Sequence, residues 1–211
     1  MTEPYYQDDH VTIYHGDSLE IMPTLIDVAG IVTDPPYGVG YDYGNHFDDI
    51  EGDEYWAWLR RAIDTMRGVD VPTVFTHRLA ALKHITDWEW LSVWNKPMAM
   101  SGLNAYPVMP HWEPIFMYGI KMRKDLPRKF DVISANPVRP KENGHPCPKP
   151  VALVRQLVNW VVPTGVILDP FMGSGTTLVV AKEEGRRAIG IEQSEWYCQQ
   201  AAHRMGQGVL F

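Results

Sequence analysis

The hydrophobic pattern along the chain alternates between two kinds of segment. Short runs rich in β-branched residues predict strands, and longer segments with apolar residues three and four apart predict helices. The predicted strands are Val11–Tyr14, Gly30–Thr33, Thr73–Thr76, Leu91–Trp94, Ile115–Tyr118, Val166–Leu168 and Ala188–Ile191. The predicted helices span about 18–27, 53–67, 78–87, 150–162, 175–184 and 194–205. Such alternation is typical of an α/β fold.

Two stretches of the chain follow neither pattern. Residues 38–52 are rich in glycine, aspartate and aromatic residues, and residues 119–149 are basic and rich in proline. Connections this long inside a compact domain are usually functional or disordered. The length of 211 residues fits one domain, spanning residues 1–211.

The charge is unevenly distributed. The net charge of -7 argues mildly against a nucleic-acid partner, because DNA is a polyanion. Residues 1–66, however, hold fourteen acidic and two basic side chains, whereas residues 119–150 carry a net charge of +5. Phosphate contacts need such a local basic segment, although a solvated loop explains it equally well. The candidate DNA-binding residues are Lys121, Arg123, Lys124, Arg128, Lys129, Arg139 and Lys141.

Composition disfavours several classes of protein. No run approaches the ~18 apolar residues that a membrane span needs, and the first residues lack the basic and apolar regions of a secretory signal. Two cysteines make neither a disulfide framework nor a metal set, and the eight histidines show no metal-ligand spacing. We therefore expect a cytoplasmic protein with no metal site and no membrane partner.

The first chemical motif is the run Val166–Thr177, which reads VILDPFMGSGTT. It predicts a strand, a glycine-rich turn and the start of a helix, where free backbone N–H groups face a ligand. Gly173 and Gly175 would let the backbone take unusual dihedrals and approach that ligand closely. No lysine follows the glycines, so this is not a Walker loop, and Leu178 occupies the third glycine position of a dinucleotide fingerprint.

A carboxylate follows this loop at the end of the next predicted strand. Glu192 lies about twenty residues after the glycines, where an acid can accept hydrogen bonds from both hydroxyls of a ribose. An acid in this place, after a loop that does not bind phosphate, points to a nucleoside cofactor without pyrophosphate. S-adenosylmethionine is such a cofactor. A simpler role for Glu192, as the acid before a helix beside Ser194, remains an alternative.

The second chemical motif, Asp34-Pro35-Pro36-Tyr37, follows the predicted strand Gly30–Thr33. Its two prolines fix the backbone at the strand end and aim the flanking groups outward. The exocyclic amine of adenine or cytosine is a poor nucleophile, because its lone pair is conjugated into the ring. Hydrogen bonds from this amine to Asp34 and to a proline carbonyl would favour its reactive tetrahedral form, and Tyr37 can stack on a base extruded from the duplex.

The two motifs in this order resemble those of the β-class DNA amino-methyltransferases, the N6-adenine and N4-cytosine enzymes of the DPPY family. The resemblance covers most of the chain. It implies a Rossmann-like, S-adenosylmethionine-dependent methyltransferase fold in circularly permuted form, with a seven-stranded mixed sheet and helices on both faces. It also implies double-stranded DNA as the partner and a bacterial or phage-infected cell as the setting. Because Val166–Glu192 would supply the first two strands of the cofactor half, Val11–Tyr14 must supply the third.

The resemblance implies roles for residues outside the two motifs. His15-Gly16-Asp17 is similar to the family's GD element, whose aspartate contacts the adenine of the cofactor. The run from His145 to Pro150 resembles its HPxxKP element, which helps to enclose the methionine of the cofactor. The residues expected to bind the cofactor are Asp17, Asp34, His145, Lys149, Asp169, Phe171, Gly173, Ser174, Gly175, Thr176 and Glu192.

The resemblance also bears on the target. Aspartate at the first position of DPPY favours adenine N6, since the cytosine-N4 enzymes more often carry serine there. The small target-recognition segments would lie within about 97–144, where only residues 97–111 and 119–144 are available, so we expect a short recognition site. Two short runs, 93–96 and 111–113, resemble strand landmarks of the family. The resemblance is compatible with an enzyme paired with a restriction enzyme and with a solitary enzyme alike.

Four alternative classes of function are weighed against this resemblance. N4-cytosine methylation shares the chemistry, whereas a cofactor-binding regulatory module without catalysis is opposed by the intact Asp34, Tyr37 and Glu192. RNA and protein-glutamine methyltransferases usually carry the cofactor motif first. A nicotinamide dehydrogenase is disfavoured by the broken fingerprint. Cys147 stands in a Pro-Cys pair like that of the C5-cytosine methyltransferases, and we interpret it as a filler within HPxxKP.

A few residues are assigned to structure or to further partners. His77 and His84, seven residues apart, are interpreted as parts of a helix and its start rather than of a site. The tail Gln207–Phe211 resembles short peptides that dock on bacterial sliding clamps, although a terminal Leu-Phe pair can equally pack on its own domain. A sliding clamp and a second copy of the chain in a homodimer are therefore candidate partners.

Overall fold

The computed structural model describes residues 3–39, 52–97, 110–121, 124, 129–138, 149–162 and 164–206. Within these ranges nine strands form a single sheet. The strands are β1 (Tyr6–Gln7), β2 (Val11–His15), β3 (Val28–Thr33), β4 (Thr73–Thr76), β5 (Trp90–Asn95), β6 (Trp112–Tyr118), β7 (Val132–Ser134), β8 (Val166–Asp169) and β9 (Ala188–Glu192). The α-helices are α1 (Ser18–Ile21), α2 (Gly52–Gly68), α3 (Val151–Val161), α4 (Thr176–Glu183) and α5 (Glu195–Gly206).

The sheet is mixed, with the strand order β1-β2-β9-β8-β3-β4-β6-β5-β7. The five strands from β2 to β4 in this order are parallel, whereas β6 is antiparallel to both β4 and β5. The predicted α/β class and mixed sheet are confirmed, with nine strands rather than seven. The two additional strands, β1 and β7, are two and three residues long and extend the two edges. Runs this short carry too few residues to show an alternating pattern.

The two ends of the chain meet in the sheet, as the permuted order of motifs requires. Strand β2 lies parallel to β9 through five consecutive pairs, from Val11 opposite Ala188 to His15 opposite Glu192. The Ala188 N–H also donates to the carbonyl of His10, at 2.8 Å. The N-terminal strand therefore supplies the third strand of the cofactor half, which confirms the prediction.

Two predicted helices differ from those in the structure. The helix predicted over 18–27 ends as α1 at Ile21 and continues as the 3-10 helix Met22–Thr24, because Pro23 has no N–H to donate. The helix predicted over 78–87 was wrong, since only the 3-10 helix Leu79–Lys83 forms there. Contacts with α2 hold the rest of that segment: the His84 ring stacks 3.8 Å from that of Trp56.

The core consists of two hydrophobic clusters, one on each face of the sheet. Adjacent residues of a strand point to opposite faces, so Ile31 of β3 joins the cluster under α2 while Val32 joins the cluster under α3 to α5. Helices therefore cover both faces, as predicted. Burial on both faces also explains the continuous apolar runs in the central strands.

Three features bear on the predicted class of protein. No helix in the described ranges combines the length and the apolar character needed to cross a bilayer. Among those same residues, no three His, Cys, Asp or Glu side chains group as metal ligands would. Cys198 of α5 is a free thiol in the core.

Candidate active site

The predicted functional residues collect at one edge of the sheet. The parallel strands β2, β9, β8, β3 and β4 are neighbours and end at the same edge, which is where α/β sheets bind ligands. At or directly after their carboxyl ends, in this order across the sheet, lie Asp17, Glu192, Asp169, Asp34 and Thr76. The first three belong to the predicted cofactor half, and the last two lie at the DPPY turn.

The glycine-rich loop has the backbone conformation that its sequence predicts. Gly173 and Gly175 have φ angles of 50° and 79°, in the left-handed region that favours glycine. Gly175 is the N-cap of α4, so the first N–H groups of this helix face the strand edge. Gly190 of β9 makes room for the loop, because a Cβ there would lie 2.4 Å from the Met172 sulfur. The loop therefore packs directly against β9.

Glu192 holds this loop by its carboxylate. Its Oε2 accepts a hydrogen bond from the Gly173 N–H at 3.0 Å, and its Oε1 accepts one from the Ser194 N–H at 2.8 Å. Burial raises the pKa of Glu192, while these two hydrogen bonds favour the charged form and oppose the rise. Glu192 can thus accept the Ser194 N–H before α5 and, with its remaining lone pairs, also fulfil the predicted role of binding the cofactor.

Asp17 lies beside Glu192, as the meeting of the chain ends predicts. The Gly16 N–H donates to the Glu192 carbonyl at 3.0 Å, which places the following residue next to the end of β9. The Asp17 side chain is exposed and caps α1, accepting the Leu19 N–H at 2.8 Å.

Asp169 connects the two halves of the site. It is buried, and its Oδ1 accepts hydrogen bonds from the Thr33 hydroxyl at 2.6 Å and from the Phe171 N–H at 3.2 Å. Burial raises the pKa of Asp169 to about 6, with the nearby Asp34 charge contributing in the same direction. Since Thr33 directly precedes Asp34, this contact fixes the spacing between the glycine-rich loop and the DPPY turn.

The Asp34 carboxylate is engaged on both oxygens. Oδ1 accepts a hydrogen bond from the Thr76 hydroxyl at 2.5 Å, and Oδ2 forms an ion pair with the Lys149 ammonium at 2.6 Å. Burial raises the pKa of Asp34 above its usual value, although Lys149 and Thr76 both favour the charged form. Lys149 was expected at the cofactor, and the structure pairs it with the carboxylate of the DPPY turn.

Tyr37 is held by side chains from β6 and from the residue after β5. Its hydroxyl donates to Glu113 Oε2 at 2.8 Å, and Glu113 Oε1 pairs with Lys96 Nζ at 2.7 Å. The Lys149 ammonium also lies 4.6 Å from the centroid of the Tyr37 ring. Burial, together with the Asp34 and Glu113 charges, raises the pKa of Tyr37 well above its usual value, so the hydroxyl stays protonated.

The end of β4 supports the DPPY turn from behind. His77 is fully buried, and its ring stacks 4.6 Å from that of Tyr37. Its Nε2 lies 2.6 Å from the Tyr55 hydroxyl, which donates to the Pro36 carbonyl at 2.7 Å. His77 was interpreted as belonging with His84 to a helix and its start; it instead directly follows β4 and contacts Tyr37 and Tyr55. Its position directly after a strand end was the signal that could have identified it.

Arg204 is another residue that sequence reasoning missed. Its guanidinium, on α5, donates to the carbonyl of Ser174 in the glycine-rich loop and lies 3.4 Å from the Ser174 hydroxyl. No pattern in the sequence connects α5 with this loop, because the contact depends on how the helix packs.

The predicted DNA-binding residues are only partly described. Lys121, Lys124 and Lys129 are exposed, as a phosphate-contacting face requires. The residues that lie outside the described ranges are Arg123, Arg128, Arg139, Lys141, His145, Cys147 and Gln207–Phe211. Their predicted roles stay predictions.

This chain is similar in sequence to known DNA methylases. A family model described as DNA methylase, of the N6/N4 type, matches residues 121–203. The putative methylase YubD of Escherichia coli strain K12 is 32% identical over 215 residues, which cover 91% of this chain and 86% of YubD. The type II methyltransferase M.ScaI of Streptomyces caespitosus is 27% identical over 276 residues, which cover 97% of this chain and 84% of M.ScaI.

Solved structures show the same fold. The M1.HpyAVI–SAM complex superposes with a TM-score of 0.65 at 24% identity, covering 92% of this chain and 99% of that one. The cytosine-N4-specific PvuII DNA methyltransferase superposes with a TM-score of 0.72 at 17% identity, covering 96% of this chain and 89% of that one. At these identities the likeness concerns the fold alone.

Proposed function

This chain belongs to the N6/N4 family of S-adenosylmethionine-dependent DNA methyltransferases, and we propose that it methylates the N6 amine of adenine in double-stranded DNA. The observation that supports adenine is Asp34 at the first position of the DPPY turn, where cytosine-N4 enzymes more often carry serine. In the structure this side chain lies at the strand edge next to the predicted cofactor loop. N4-cytosine methylation is the alternative that the experiment below distinguishes.

The residues at the cofactor half fit S-adenosylmethionine. When bound, the cofactor supplies an electrophilic methyl group on its sulfonium. The left-handed backbone of Gly173 and Gly175 shapes a tight loop whose N–H groups would face a ligand, and Glu192 retains lone pairs for the ribose hydroxyls. Asp17 would contact the adenine from the end of β2. Phe171, Ser174 and Thr176 would line the same loop, and we keep these roles as proposals.

The target amine would bind between Asp34 and the Pro35 carbonyl. The Pro36 carbonyl already accepts the Tyr55 hydroxyl. Among the described residues, no donor reaches the Pro35 carbonyl, although Pro35 itself is buried. A carbonyl without a donor at this sheet edge would suit a ligand N–H. Two acceptors at one nitrogen favour the tetrahedral form that attacks the methyl group.

Asp34 has to be ionised to act in this way. Methyl transfer leaves the amine nitrogen with an extra positive charge and a proton to release, and a carboxylate with a raised pKa is a better proton acceptor than an ordinary one. The Lys149 ammonium favours the charged form of Asp34 and so opposes the rise in its pKa that burial causes. We therefore assign Lys149 to the electrostatics of the catalytic carboxylate as well as to cofactor enclosure.

DNA binding and target recognition would use the segment between the two motifs. The exposed Lys121, Lys124 and Lys129 would contact phosphates, and recognition of a short site would fall within about 97–144 of a single domain, 1–211. The setting would be the cytoplasm of a bacterial cell. A homodimer and a sliding clamp remain proposed partners.

Sequencing that detects modified bases tests this function in cells. DNA from cells that express the wild type should carry N6-methyladenine in one short sequence context, and DNA from cells that express Asp34→Ala should lack it. N4-methylcytosine dependent on the wild type would reject the choice of adenine. Absence of any modified base, with soluble protein present, would reject the function.

A further inference from the structure

A buried tyrosine–histidine pair lies behind the DPPY turn and has no role in the steps described above. Tyr55 is on α2 and is 1% exposed, and His77 follows β4 and is 0% exposed. Both rings lie beside the catalytic turn, from segments 21 and 43 positions after Asp34 in the chain. Buried polar groups of this kind need hydrogen-bond partners, and these two residues bond to each other and to the turn.

The hydrogen bonds between these groups run in one direction. The Arg78 N–H donates to His77 Nδ1 at 2.9 Å, so this nitrogen is the unprotonated one. The proton is then on Nε2, which donates to the Tyr55 oxygen at 2.6 Å. The Tyr55 hydroxyl in turn donates to the Pro36 carbonyl at 2.7 Å. Each group has the donor or acceptor that its neighbour requires.

Close packing supports the same connection. A Cβ at Gly38 would lie 2.4 Å from the Tyr55 ring, and the φ angle of Gly38 is +59°, which disfavours other residues. The turn therefore closes directly on the tyrosine ring. Arg78 donates to the Gly38 carbonyl at 3.2 Å, so the two residues after β4 contact the later part of the turn, at Tyr37 and Gly38.

We infer that Tyr55 is a positioning residue for methyl transfer and that His77 orients its hydroxyl. The Tyr55 hydroxyl draws the Pro36 carbonyl toward the protein interior. This fixes the peptide planes of the turn so that the Pro35 carbonyl and Asp34 face the reacting amine. The inference rests on the proposed function for the identity of that amine, and it holds for adenine and cytosine alike.

The charge state of His77 suits a permanent donor. Burial lowers the pKa of His77 to about 3, and the positive charge of Arg78 acts in the same direction. The imidazole therefore stays neutral at physiological pH. Its tautomer is then set by the Arg78 N–H, and the direction of the hydrogen bonds stays the same across the working range.

The test compares two Tyr→Phe variants. Tyr55→Phe keeps the ring and removes the hydroxyl, and Tyr118→Phe is the matched control. Tyr118 is 3% exposed and pairs with Thr73, at the opposite end of β4 from His77. We measure single-turnover methyl transfer to DNA, S-adenosylmethionine affinity by calorimetry, and the midpoint of thermal unfolding. Misplaced catalytic groups cost on the order of a hundredfold or less, so we expect Tyr55→Phe to lower the transfer rate about ten- to a hundredfold.

The inference requires a particular split of the results. Cofactor affinity and the KM for DNA should stay within about twofold of the wild type, and Tyr118→Phe should transfer methyl groups at the wild-type rate. A Tyr55→Phe rate equal to that of the wild type would overturn the inference. So would equal losses in both variants, because that result reflects stability alone. Failure of the proposed function is distinct, since the wild type itself would then be inactive.

A double-mutant cycle with His77→Phe tests the role of the histidine. This variant keeps an aromatic ring against Tyr37 and removes the donor. If His77 acts through Tyr55, the double variant should be no slower than the slower of the two single variants, within about twofold. Multiplied losses would exclude His77 from the arrangement. Should His77→Phe fail to fold, the two tyrosine variants still decide the role of Tyr55.

Discussion

The glycine-rich loop and the DPPY turn lie at the same sheet edge but are held in different ways. The loop is shaped mainly by its own backbone, through the left-handed Gly173 and Gly175, and by Glu192 from the adjacent strand. The turn is held by side chains from other elements, above all Thr76 and Tyr55. The shape of the loop thus depends mainly on its own backbone and the adjacent strand, whereas the shape of the DPPY turn depends on packing between distant elements.

The largest expected effect is a loss of methyl transfer without a loss of S-adenosylmethionine binding. Asp34→Ala removes an acceptor for the target amine, and we expect the rate of methyl transfer to fall by about a thousandfold or more. The glycine-rich loop, which we propose binds the cofactor, does not need this side chain for its shape. Calorimetry should therefore show S-adenosylmethionine binding within a few-fold of the wild type. Retained turnover would show that another group activates the amine.

The second prediction addresses the backbone of the loop. Gly175→Val puts a branched side chain at a φ of +79° and close to Ala201, and we expect S-adenosylmethionine affinity to fall more than about tenfold. Gly185→Val is the matched control, because its φ is +65° and no atom lies within 4 Å of a Cβ there. Both variants should lose about 1–3 kcal/mol of unfolding free energy from backbone strain. Equal cofactor affinity in the two would mean that the loop does not bind the cofactor.

The third prediction concerns long-range support of the turn. Thr76→Val keeps the side-chain shape and removes the donor to Asp34 Oδ1, and we expect the transfer rate at neutral pH to fall about tenfold. The hydroxyl lowers the pKa of Asp34, so its loss raises that pKa further. Because the carboxylate is active only when ionised, the acid limb of the pH–rate profile should move to higher pH. An unmoved acid limb would contradict the assignment of that limb to Asp34.

The smallest expected effect tests how far the loop is independent of packing. Arg204→Met removes the donor to the Ser174 carbonyl from α5. We expect the KM for S-adenosylmethionine to rise only about two- to fivefold, with kcat unchanged, since the glycines and Glu192 still shape the loop. A loss as large as that of Gly175→Val would show that the loop also depends on long-range contacts.

The same contrast explains what the sequence could reveal. Candidate residues such as Asp34, Gly173 and Glu192 could be predicted because they stand in or next to short motifs at strand ends. The pairing of β2 with β9 follows from the order of the motifs. Tyr55 could not be identified in this way, since its hydroxyl meets the turn only after α2 packs on the sheet. The helix predicted over 78–87 failed for a related reason, because contacts with α2 outweighed a short apolar pattern.

Nucleoside mass spectrometry of DNA methylated by the purified protein tests the central claim most directly. With S-adenosylmethionine carrying a labelled methyl group, the wild type should place the label on N6-methyladenine, and Asp34→Ala should leave the DNA unlabelled while still binding the cofactor. Label on N4-methylcytosine would contradict the assignment of the target. Label on N6-methyladenine in the Asp34→Ala reaction at the wild-type rate would contradict the role of the DPPY turn itself.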